Sequence, residues 1–553
     1  MILASDAAIE KFTRLGAWRN KTLIDYLKEQ AKADPDRICV ADPPNKEQLA
    51  GIAAERLSYK DFDRAVDAVA EALAAKGIGK DDVVMVQLPN CWEMAMLYLA
   101  ISRTGALTSP APVLWREAEL DYIAGLTQAK AFITLNRFNN FDHMDLAKKL
   151  QQKNPEMKNI FNLEEIREMS QGTVNNTLDA VSVDANDIFT ICWTSGTEAN
   201  PKGCPLSHNN WAGMALLQDV AGMRSGDVML TAGPLVNMAS LGTVYMPWLV
   251  LGGTMVLHHP FDPAVFMQQL MGEKPNYTLL VPALANMLVK HPNVDQFDLT
   301  SFRSITLGSA PPSLFTMQEF KRRWDIDIGN IWGQNEGTGI VAGIEDIPEM
   351  ERRVDHFPQW GKPGSSWSSR ASKLVEVKIL GPGDEELTEP GEVGELVYKG
   401  PGLISGYYKN PEVTERSFTK DGFFRTGDLF EIREGHCISF FERAKDIIIR
   451  GGYNISSQEI ENHLLSHPKV QEAAVVGMPD EKLGERMCAY VVAAPDQAVS
   501  LEELTALLNE KGVARYKHPE RLEICDQIPR NPVGKILKKD LRKDLMAKLD
   551  GQG

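Results

Sequence analysis

The chain has 553 residues, of which 43% are hydrophobic and 24% charged, and its formal net charge is -16 at pH 7. This length predicts two or more domains, and the ordinary hydrophobic content excludes a disordered chain. The acidic balance argues against a nucleic-acid-binding protein, because such proteins need a basic field. We therefore expect a large folded protein that binds anions only at a local site.

Seven scattered cysteines form no C-x-x-C pair, which argues against a zinc cluster or a disulfide framework and suits a reducing compartment. The N-terminal residues lack the basic region and apolar core of a secretory signal. The most apolar run, residues 244–257, is interrupted by Pro247 and two glycines and is shorter than the roughly 20 residues that a spanning helix needs. We expect a cytoplasmic protein without a transmembrane segment, and a core role for this run.

Helix and strand patterns alternate in the N-terminal part of the chain. Residues 57–76 predict a helix with Ser58 as its N-cap, residues 82–88 a buried strand, and residues 92–103 a second helix. Further short apolar runs predict strands that are covered on both faces. These runs are residues 131–135, 252–257, 277–281 and 304–307. The alternation predicts a large α/β domain of layered sheets and helices with several subdomains.

After about residue 360 the segments become Gly-rich, charged and hairpin-like. Examples are residues 375–380 and 394–398. Another change follows residue 446, with predicted helices over residues 457–466 and 501–510 and predicted strands over residues 470–476 and 486–493. This length and alternation indicate a small, mobile α+β domain. We place the boundary at Lys445, so that residues 1–444 form the N-terminal domain and residues 445–553 the C-terminal domain.

The strongest local motif is residues 194–203, which read TSGTEANPKG. Glycines and hydroxyl residues allow backbone N–H groups to converge on an anion, and Lys202 adds positive charge. The segment is not a Walker A loop, because the G-x-x-x-x-G-K-[ST] order is absent and no helix pattern follows Lys202. By itself it is either a triphosphate-binding loop or an ordinary polar turn.

The motif resembles the phosphate loop of the adenylate-forming superfamily, which includes acyl-CoA and aryl-CoA ligases, peptide-synthetase adenylation domains and luciferases. Other segments resemble motifs of the same family and occur in the family's order. They are Gly105-Ala106, Gly308-Ser309-Ala310, residues 332–336 (WGQNE), residues 407–410, residues 424–429 (FRTGDL), residues 443–446 (RAKD), residues 451–454 and residues 529–536 (PRNPVGKI). By this resemblance the chain is identified as a member of the acyl- and aryl-CoA synthetase (acid–CoA ligase) branch.

The resemblance implies a set of nucleotide-binding residues. They are Thr194, Ser195, Gly196, Thr197, Lys202, Gly308, Ser309, Ala310, Trp332, Gly333, Gln334, Asn335, Asp428, Arg443 and Lys445. Asn335 replaces the family's usual Thr near the α-phosphate and adenine, Asp428 binds the ribose hydroxyls with Arg443 close by, and Lys445 is the hinge between the domains. The pair Glu198-Ala199 departs from the family's Thr-Gly.

Two catalytic residues are implied. Glu336 holds the Mg²⁺ that bridges the phosphates, which suits a carboxylate because hard cations prefer oxygen ligands. Lys535 reaches the carboxylate and the α-phosphate during adenylation, where positioning and charge neutralisation are most of what the chemistry needs.

The implied reaction has two halves. A carboxylic acid attacks the α-phosphate of ATP and pyrophosphate leaves, and the C-terminal domain then swings about Lys445 so that a thiol, expected to belong to coenzyme A, attacks the acyl adenylate. The expected acid pocket comprises Val236, Asn237, Met238, Gly242, Gly308 and Gly333. Many relatives have His at the position of Asn237, and acetate-specific ones have Trp at that of Gly333. We expect a medium-chain fatty, alicyclic or aromatic acid.

Three alternatives stay open at this point. An adenylation enzyme would load a carrier-protein thiol, a luciferase-like oxidoreductase would share the first half-reaction, and a non-catalytic protein would only bind a nucleotide or an acyl group. The acid, the thiol acceptor and the oligomeric state, for which a homodimer is one option, are not fixed by the sequence.

Overall fold

The structure is a computed structural model that describes residues 1–194, 200–215, 217–451, 453–480, 482–530 and 536–550. The chain forms two compact units. The first comprises Met1–Val377 and Tyr398–Phe423, and the second Lys378–Val397 and Phe424–Gly553. The boundary predicted at Lys445 lies inside the second unit and stays a prediction.

The first unit contains an eight-stranded sheet. In spatial order its strands are Thr338–Ala342, Asp327–Gln334, Ser304–Gly308, Tyr277–Leu280, Val228–Thr231, Thr254–Leu257, Ile38–Ala41 and Arg56–Ser58. The six inner strands pair in parallel, and the two edge strands are antiparallel to their neighbours. Apolar runs can form such strands because both faces of a parallel sheet are covered.

A six-stranded sheet in the same unit has a similar plan. In spatial order its strands are Gly203–Ser207, Ile188–Trp193, Leu107–Pro110, Val83–Val86, Ala131–Ile133 and Asn159–Phe161. Five strands are parallel, and Gly203–Ser207 returns antiparallel along the edge. This unit also contains the short strands Arg137–Phe138, Phe141–Asp142 and His356–Pro358.

Helices lie between these strands along the chain. In the first unit the α-helices are Asp6–Arg14, Leu23–Ala33, Lys46–Ala50, Tyr59–Ala75, Trp92–Arg103, Glu117–Thr127, His143–Lys153, Leu163–Ser170, His208–Met214, Leu217–Val220, Met238–Ser240, Met246–Leu251, Pro263–Glu273, Pro282–Val289, Leu314–Trp324, Met350–Arg353 and Pro411–Arg416. Ser58 caps Tyr59–Ala75 as predicted, since its side chain accepts a hydrogen bond from the Asp61 N–H.

The second unit is built on antiparallel pairing. One sheet contains, as neighbours in this order, the strands Cys437–Arg443, Phe424–Arg433, Val393–Lys399 and Glu376–Leu380. The boundary between the two units crosses the last two of these strands. A second sheet has the order Tyr453–Ile455, Ile448–Arg450, Gly484–Ala493 and Val470–Asp480, with Arg521–Ile524 parallel to Gly484–Ala493. Its helices are Ser457–Leu465, Leu501–Glu510 and Lys538–Asp550.

The elements predicted from the sequence are all present, with ends displaced by a few residues. The apolar run of residues 244–257 is a buried helix that ends at Gly252, followed by the inner strand Thr254–Leu257, so its predicted core role is confirmed. All seven cysteines are free. Within the described residues, no helix combines the length and the hydropathy that crossing a membrane requires.

A buried ionic cluster links the end of strand Ile38–Ala41 to helices Lys46–Ala50 and Trp92–Arg103. The Lys46 ammonium lies 2.7 Å from Asp42 and 2.7 Å from Glu93, and none of the three side chains is more than 2% exposed. Asp42 also accepts a hydrogen bond from the Trp92 N–H, at the start of helix Trp92–Arg103. Burial, and then the neighbouring Glu93 carboxylate, raise the pKa of Asp42 to about 6.

Replacing Lys46 by Met should leave two facing carboxylates buried without a cation. We expect the free energy of unfolding of Lys46→Met, measured by urea denaturation, to fall by about 3–5 kcal/mol near neutral pH. The loss should shrink at acid pH. The pKa of Asp42 is already raised to about 6 in the parent, and removing the ammonium should raise it further, so protonation neutralises the unpaired charge of the folded variant as the pH falls. The control is Lys60→Met, which removes the exposed pair with Asp36 and should change little. Equal losses in both variants would contradict this account.

Candidate active site

The loop of residues 194–203 connects two paired strands. Gly203 lies opposite Trp193 in the antiparallel ladder. The Thr194 N–H donates to the Lys202 carbonyl at 3.0 Å, and the Lys202 N–H donates to the Thr194 hydroxyl at 3.2 Å. These bonds close the loop at its base, and a strand rather than a helix follows Lys202, as expected. Ser195, Gly196, Thr197 and the pair Glu198-Ala199 lie outside the described residues.

A tight hairpin turn positions Asn335 and Glu336. It joins strands Asp327–Gln334 and Thr338–Ala342, in which Gln334 faces Thr338. Gly337 has a φ of 88°, and a Cβ there would lie 1.8 Å from the Gly402 carbonyl oxygen. Only glycine therefore fits this turn, because any side chain would meet the backbone of residues 402–403.

The Asn335 carboxamide joins three segments of the first unit. Its oxygen accepts the Met238 N–H at 2.9 Å, and its nitrogen donates to the Trp193 carbonyl at 2.9 Å. Trp193 immediately precedes Thr194, and Met238 belongs to the predicted acid pocket. The turn is thus fixed between the base of the loop and the pocket segment.

The Glu336 carboxylate is buried, at 8% exposure, and is held by Tyr407. The Tyr407 hydroxyl donates to Glu336 Oε1 at 2.7 Å, and the Glu336 carbonyl accepts the Ile404 N–H at 2.9 Å. The Lys202 ammonium lies 4.8 Å from the centre of the Tyr407 ring, within the range of a cation–π contact. A carboxylate, a phenol and an ammonium therefore meet beside the loop.

This arrangement fits a Mg²⁺ bound together with a nucleotide. Among the described residues there is no group of three or more His, Cys, Asp or Glu side chains that could enclose a metal ion. Mg²⁺ normally takes one or two carboxylates and completes its shell with phosphates and water. The bond from Tyr407 uses one lone pair of the Glu336 carboxylate, so this side chain could still hold the ion.

Cys204 lies close to this cluster but does not supply a nucleophile. Burial, and then the Glu336 carboxylate, raise the pKa of its thiol well above the ordinary value. A protonated, buried thiol is chemically inert. The anionic and cationic groups described above therefore dominate the chemistry of this region.

The predicted adenine turn follows the strand Ser304–Gly308. Ser309 has a φ of 72°, an uncommon left-handed conformation for a residue other than glycine, and both it and Ala310 are exposed. A Cβ at Gly308 would lie 2.8 Å from Cγ2 of Ile331 on the adjacent strand. Close packing of the two strands therefore requires glycine at position 308.

The predicted acid-pocket segment is locally well ordered by hydrogen bonds. Asn237 caps the short helix Met238–Ser240, since its side-chain oxygen accepts the Ser240 N–H. Val236 and Met238 are buried, and Gly242 lies in a π-helical turn where a Cβ would come 3.0 Å from the Met238 sulfur. This turn is one of the irregular helical segments that often mark functional sites.

Three residues of the WGQNE segment lie at the end of strand Asp327–Gln334. Trp332 is buried at 9% exposure, Gly333 is exposed, and Gln334 is half-buried. A Cβ at Gly333 would lie 2.8 Å from the Thr338 carbonyl oxygen. The close approach of the two hairpin strands therefore requires glycine at position 333, whatever the size of the acid.

The second unit contains the predicted ribose-binding element. Asp428 and Arg443 are directly opposite each other in an antiparallel pair, with the Arg443 Nε 3.5 Å from Asp428 Oδ1. Asp428 is buried and its N–H donates to the Thr426 hydroxyl. Lys445 is exposed in the turn that follows. Lys535 lies outside the described residues.

Comparison with known proteins shows the family to which the chain belongs. A family model for AMP-binding enzymes matches residues 27–408, and a model for the AMP-binding enzyme C-terminal domain matches residues 459–535. The chain belongs to the AMP-binding enzyme family. It is an adenylate-forming enzyme of mixed α/β fold, and the family resemblance drawn from the motifs is confirmed. ATP and Mg²⁺ are generic to this family.

Two curated relatives align over nearly the whole chain. The chain is 33% identical to the medium-chain fatty-acid–CoA ligase of Escherichia coli K12, over 97% of this chain and 93% of that protein. It is 31% identical to the 2,3-dihydroxybenzoate-AMP ligase of Bacillus subtilis 168, over 98% and 97%. Among solved structures, ATP-bound MatB from Rhodopseudomonas palustris is similar, with 25% identity, a TM-score of 0.80 and coverage of 95% of this chain and 99% of that one.

Tyr407 is the residue of this site whose role the sequence does not reveal. Its motif places it near other family segments, but nothing in the spacing pairs its hydroxyl with Glu336. The backbone does bring them together, because the Tyr408 N–H donates to the Gly203 carbonyl and the Ile404 N–H to the Glu336 carbonyl, both at 2.9 Å.

Tyr407→Phe should weaken metal binding more than folding. Without the phenol O–H, the Glu336 carboxylate loses the donor that orients it, and loss of such a partner typically costs about 10–100-fold in metal affinity. We expect Mn²⁺ binding in the presence of ATP, followed by the EPR signal of free Mn²⁺, to weaken by about tenfold. The Mg²⁺ concentration for half-maximal ATP–pyrophosphate exchange should rise in parallel.

The matched control is Tyr408→Phe, because the Tyr408 ring packs in a hydrophobic core rather than at the carboxylate. That variant should bind Mn²⁺ as the parent protein does. Unchanged Mn²⁺ affinity in Tyr407→Phe would show that the bond to Glu336 has no part in holding the ion.

Proposed function

We propose that this enzyme is an acid–CoA ligase. It joins a carboxylic acid to the AMP moiety of ATP with release of pyrophosphate, and then transfers the acyl group to the thiol of coenzyme A with release of AMP. The observation that carries the proposal is the buried Glu336 carboxylate, held by Tyr407 beside the Lys202 ammonium at the base of the loop. Such a cluster offers both an oxygen ligand for Mg²⁺ and a cation for phosphates.

In the first half-reaction, a carboxylate oxygen forms a bond to the α-phosphorus as the bond to the pyrophosphate oxygen breaks. Mg²⁺ bound with ATP neutralises charge on the phosphates. Glu336 would hold that ion, Lys202 and the loop would bind the phosphates, and Lys535 would neutralise charge at the carboxylate and the α-phosphate. Asn335 would fix the distance between the phosphates and the acid, because its amide bridges the loop base and the pocket segment.

In the second half-reaction, the coenzyme A thiol loses its proton and its sulfur attacks the acyl carbonyl, and AMP leaves. We propose that residues 445–553 rotate about Lys445 between the two steps, so that Lys535 is replaced by the thiol. Asp428 and Arg443, which already pair with each other, would bind the ribose.

Coenzyme A is the acceptor that we favour over a carrier-protein thiol. The likeness to the Escherichia coli medium-chain fatty-acid–CoA ligase supports it. The slightly lower likeness to a 2,3-dihydroxybenzoate-AMP ligase makes a carrier-protein thiol the second candidate.

The acid is proposed to be a medium-chain fatty, alicyclic or aromatic one, because Val236 and Met238 give the pocket segment an apolar character. A homodimer stays a prediction for light scattering to test.

A thiol assay separates the two acceptors. With ATP and a panel of such acids, we expect AMP release to increase on addition of free coenzyme A, and mass spectrometry to detect the acyl-CoA. Release that responds only to a phosphopantetheine-loaded carrier protein would favour the second candidate. If acid-dependent pyrophosphate exchange occurs but neither acceptor increases AMP release, only the first half-reaction of the proposal is supported.

Lys535→Ala should abolish adenylation selectively. We expect acid-dependent ATP–pyrophosphate exchange to fall by about 10²–10³-fold, the loss typical when a group that stabilises developing charge is removed. Thioester formation from a presynthesised acyl adenylate should be largely retained. Lys539→Ala is the control, since Lys539 is an exposed lysine close by in the chain. This variant should catalyse ATP–pyrophosphate exchange at the rate of the parent protein. Full exchange activity in Lys535→Ala would contradict the proposed role.

A further inference from the structure

A second buried ionic cluster lies in the second unit, close to the predicted hinge in the chain. The Lys538 ammonium lies 2.8 Å from the Glu461 carboxylate and also donates to the Ser457 hydroxyl. The side chains of Lys538 and Glu461 are 12% and 4% exposed. Glu461 also accepts the Val475 N–H at 2.7 Å. This buried ion pair is therefore supported by further hydrogen bonds, and all of its residues follow Lys445 in the chain.

The Glu442 carboxylate joins this cluster from the other side of the predicted hinge. Glu442 is 3% exposed and lies shortly before Lys445 in the chain. Its Oε2 accepts the Ser457 hydroxyl and, at 3.1 Å, the Gln458 N–H. The ammonium of Lys538 lies directly behind the Ser457 hydroxyl, so its positive charge attracts the Glu442 carboxylate. These contacts connect the two sides of position 445.

A rotation about Lys445 would break the contacts of Glu442. Such a rotation moves Ser457 and Lys538 together and leaves Glu442 in place. A hydrogen bond is lost once its donor and acceptor are more than about 3.5 Å apart, so these bonds can exist in only one of two domain arrangements. Lys538 keeps Glu461 in both arrangements, because both residues follow the hinge. The contact can therefore open without leaving Lys538 as a buried cation without a partner.

The same cluster adjoins the segment that carries the proposed adenylation lysine. Lys538 is the first residue of the C-terminal helix and follows Lys535 closely in the chain. Just before this helix, the Leu537 N–H donates to the Pro529 carbonyl at 2.9 Å, which closes the base of the segment. The contact with Glu442 is therefore made where the helix meets this base.

We propose that Glu442 is a positioning residue that stabilises one of the two domain arrangements of the reaction cycle. The inference rests on the proposed function, and specifically on the rotation about Lys445. Glu442 acts through Ser457 and Gln458 and not on the reacting atoms. Hydrogen bonds to a charged group contribute more than those between neutral groups, and the loss of one shifts an equilibrium by about tenfold or more. Glu442 therefore sets the ratio of the two arrangements, and with it the relative rates of the two half-reactions.

The test measures the domain arrangement in the full chain. Spin labels are attached at Lys148→Cys and Glu510→Cys, two exposed helical positions on opposite sides of position 445 in the chain. The background is Cys525→Ser, because the other six cysteines are buried. Pulsed EPR then gives the distance between the labels without ligand, with MgATP, and with coenzyme A and AMP. We expect two distances in the parent protein, in a ratio that depends on the ligand.

Removal of the Glu442 carboxylate should change this ratio. We expect Glu442→Ala to shift the populations of the two distances by about tenfold, in the same direction in every ligand state. Ser457→Ala removes one donor of the same contact and should shift them in that direction as well. Glu442→Gln keeps an oxygen that can accept a hydrogen bond but loses the charge, so its effect should be smaller than that of Glu442→Ala.

The matched control is Glu520→Ala. Glu520 accepts the Met487 N–H at 3.0 Å and lies 2.7 Å from the Arg450 guanidinium. Like Glu442, it is a carboxylate that binds a backbone N–H and faces a cation, but all three of these residues follow the hinge. A rotation leaves their contacts intact, so the variant should keep the ratio of the parent protein even where its Tm falls.

Two results would overturn the inference while the proposed rotation stands. One is a ligand-dependent pair of distances whose ratio is the same in Glu442→Ala as in the parent protein. The other is a pair of shifts in opposite directions for Glu442→Ala and Ser457→Ala. A single distance in every ligand state of the parent protein would overturn the rotation itself and the inference with it. If Glu442→Ala does not fold, Glu442→Gln and Ser457→Ala decide the question by the same criteria.

Discussion

The Asn335 carboxamide is the contact on which the candidate site depends. One amide plane bonds the carbonyl of Trp193, at the base of the loop, and the N–H of Met238, at the start of the pocket segment. These segments belong to different sheets and connections of the first unit, so without such a bridge their spacing would depend on loops alone. The next residue is Glu336. An adenylating enzyme must hold a phosphate, a metal-binding carboxylate and an acid at fixed separations, and this amide links all three regions.

Asn335 retains the capacity to bind a nucleotide as well. A carboxamide has two N–H donors and an oxygen with two lone pairs, and the two bonds observed use one of each. A threonine hydroxyl, which the family usually has here, has one donor and could not span both backbone groups in the same way while also facing the nucleotide. The departure from the family pattern is therefore compatible with the role that the resemblance implies, and it gives this chain an additional internal link.

Much of the fold follows from local sequence patterns, but the site does not. The short apolar runs, the Ser58 cap and the breaks at Pro247 and Gly252 specify helices and strands, because their physical causes lie within a few residues of one another. The bond between Tyr407 and Glu336 joins residues 71 positions apart. The periodicity of apolar residues does not predict such a contact. Only the order of the family motifs predicted that the two segments would lie near each other. The buried cluster of Lys46, Asp42 and Glu93 is equally hard to predict. A lysine in a short polar stretch is expected at the surface, and only the fold shows that it is buried.

The glycines at positions 308, 333 and 337 show why a motif can be informative about geometry and ambiguous about specificity. At each of them a Cβ would meet Ile331, the Thr338 carbonyl or the Gly402 carbonyl, so close packing of strand and turn is sufficient to require glycine. An interpretation of Gly333 as space for a large acid is then one of two explanations for the same residue. Information on the acid must come instead from side chains that packing does not explain.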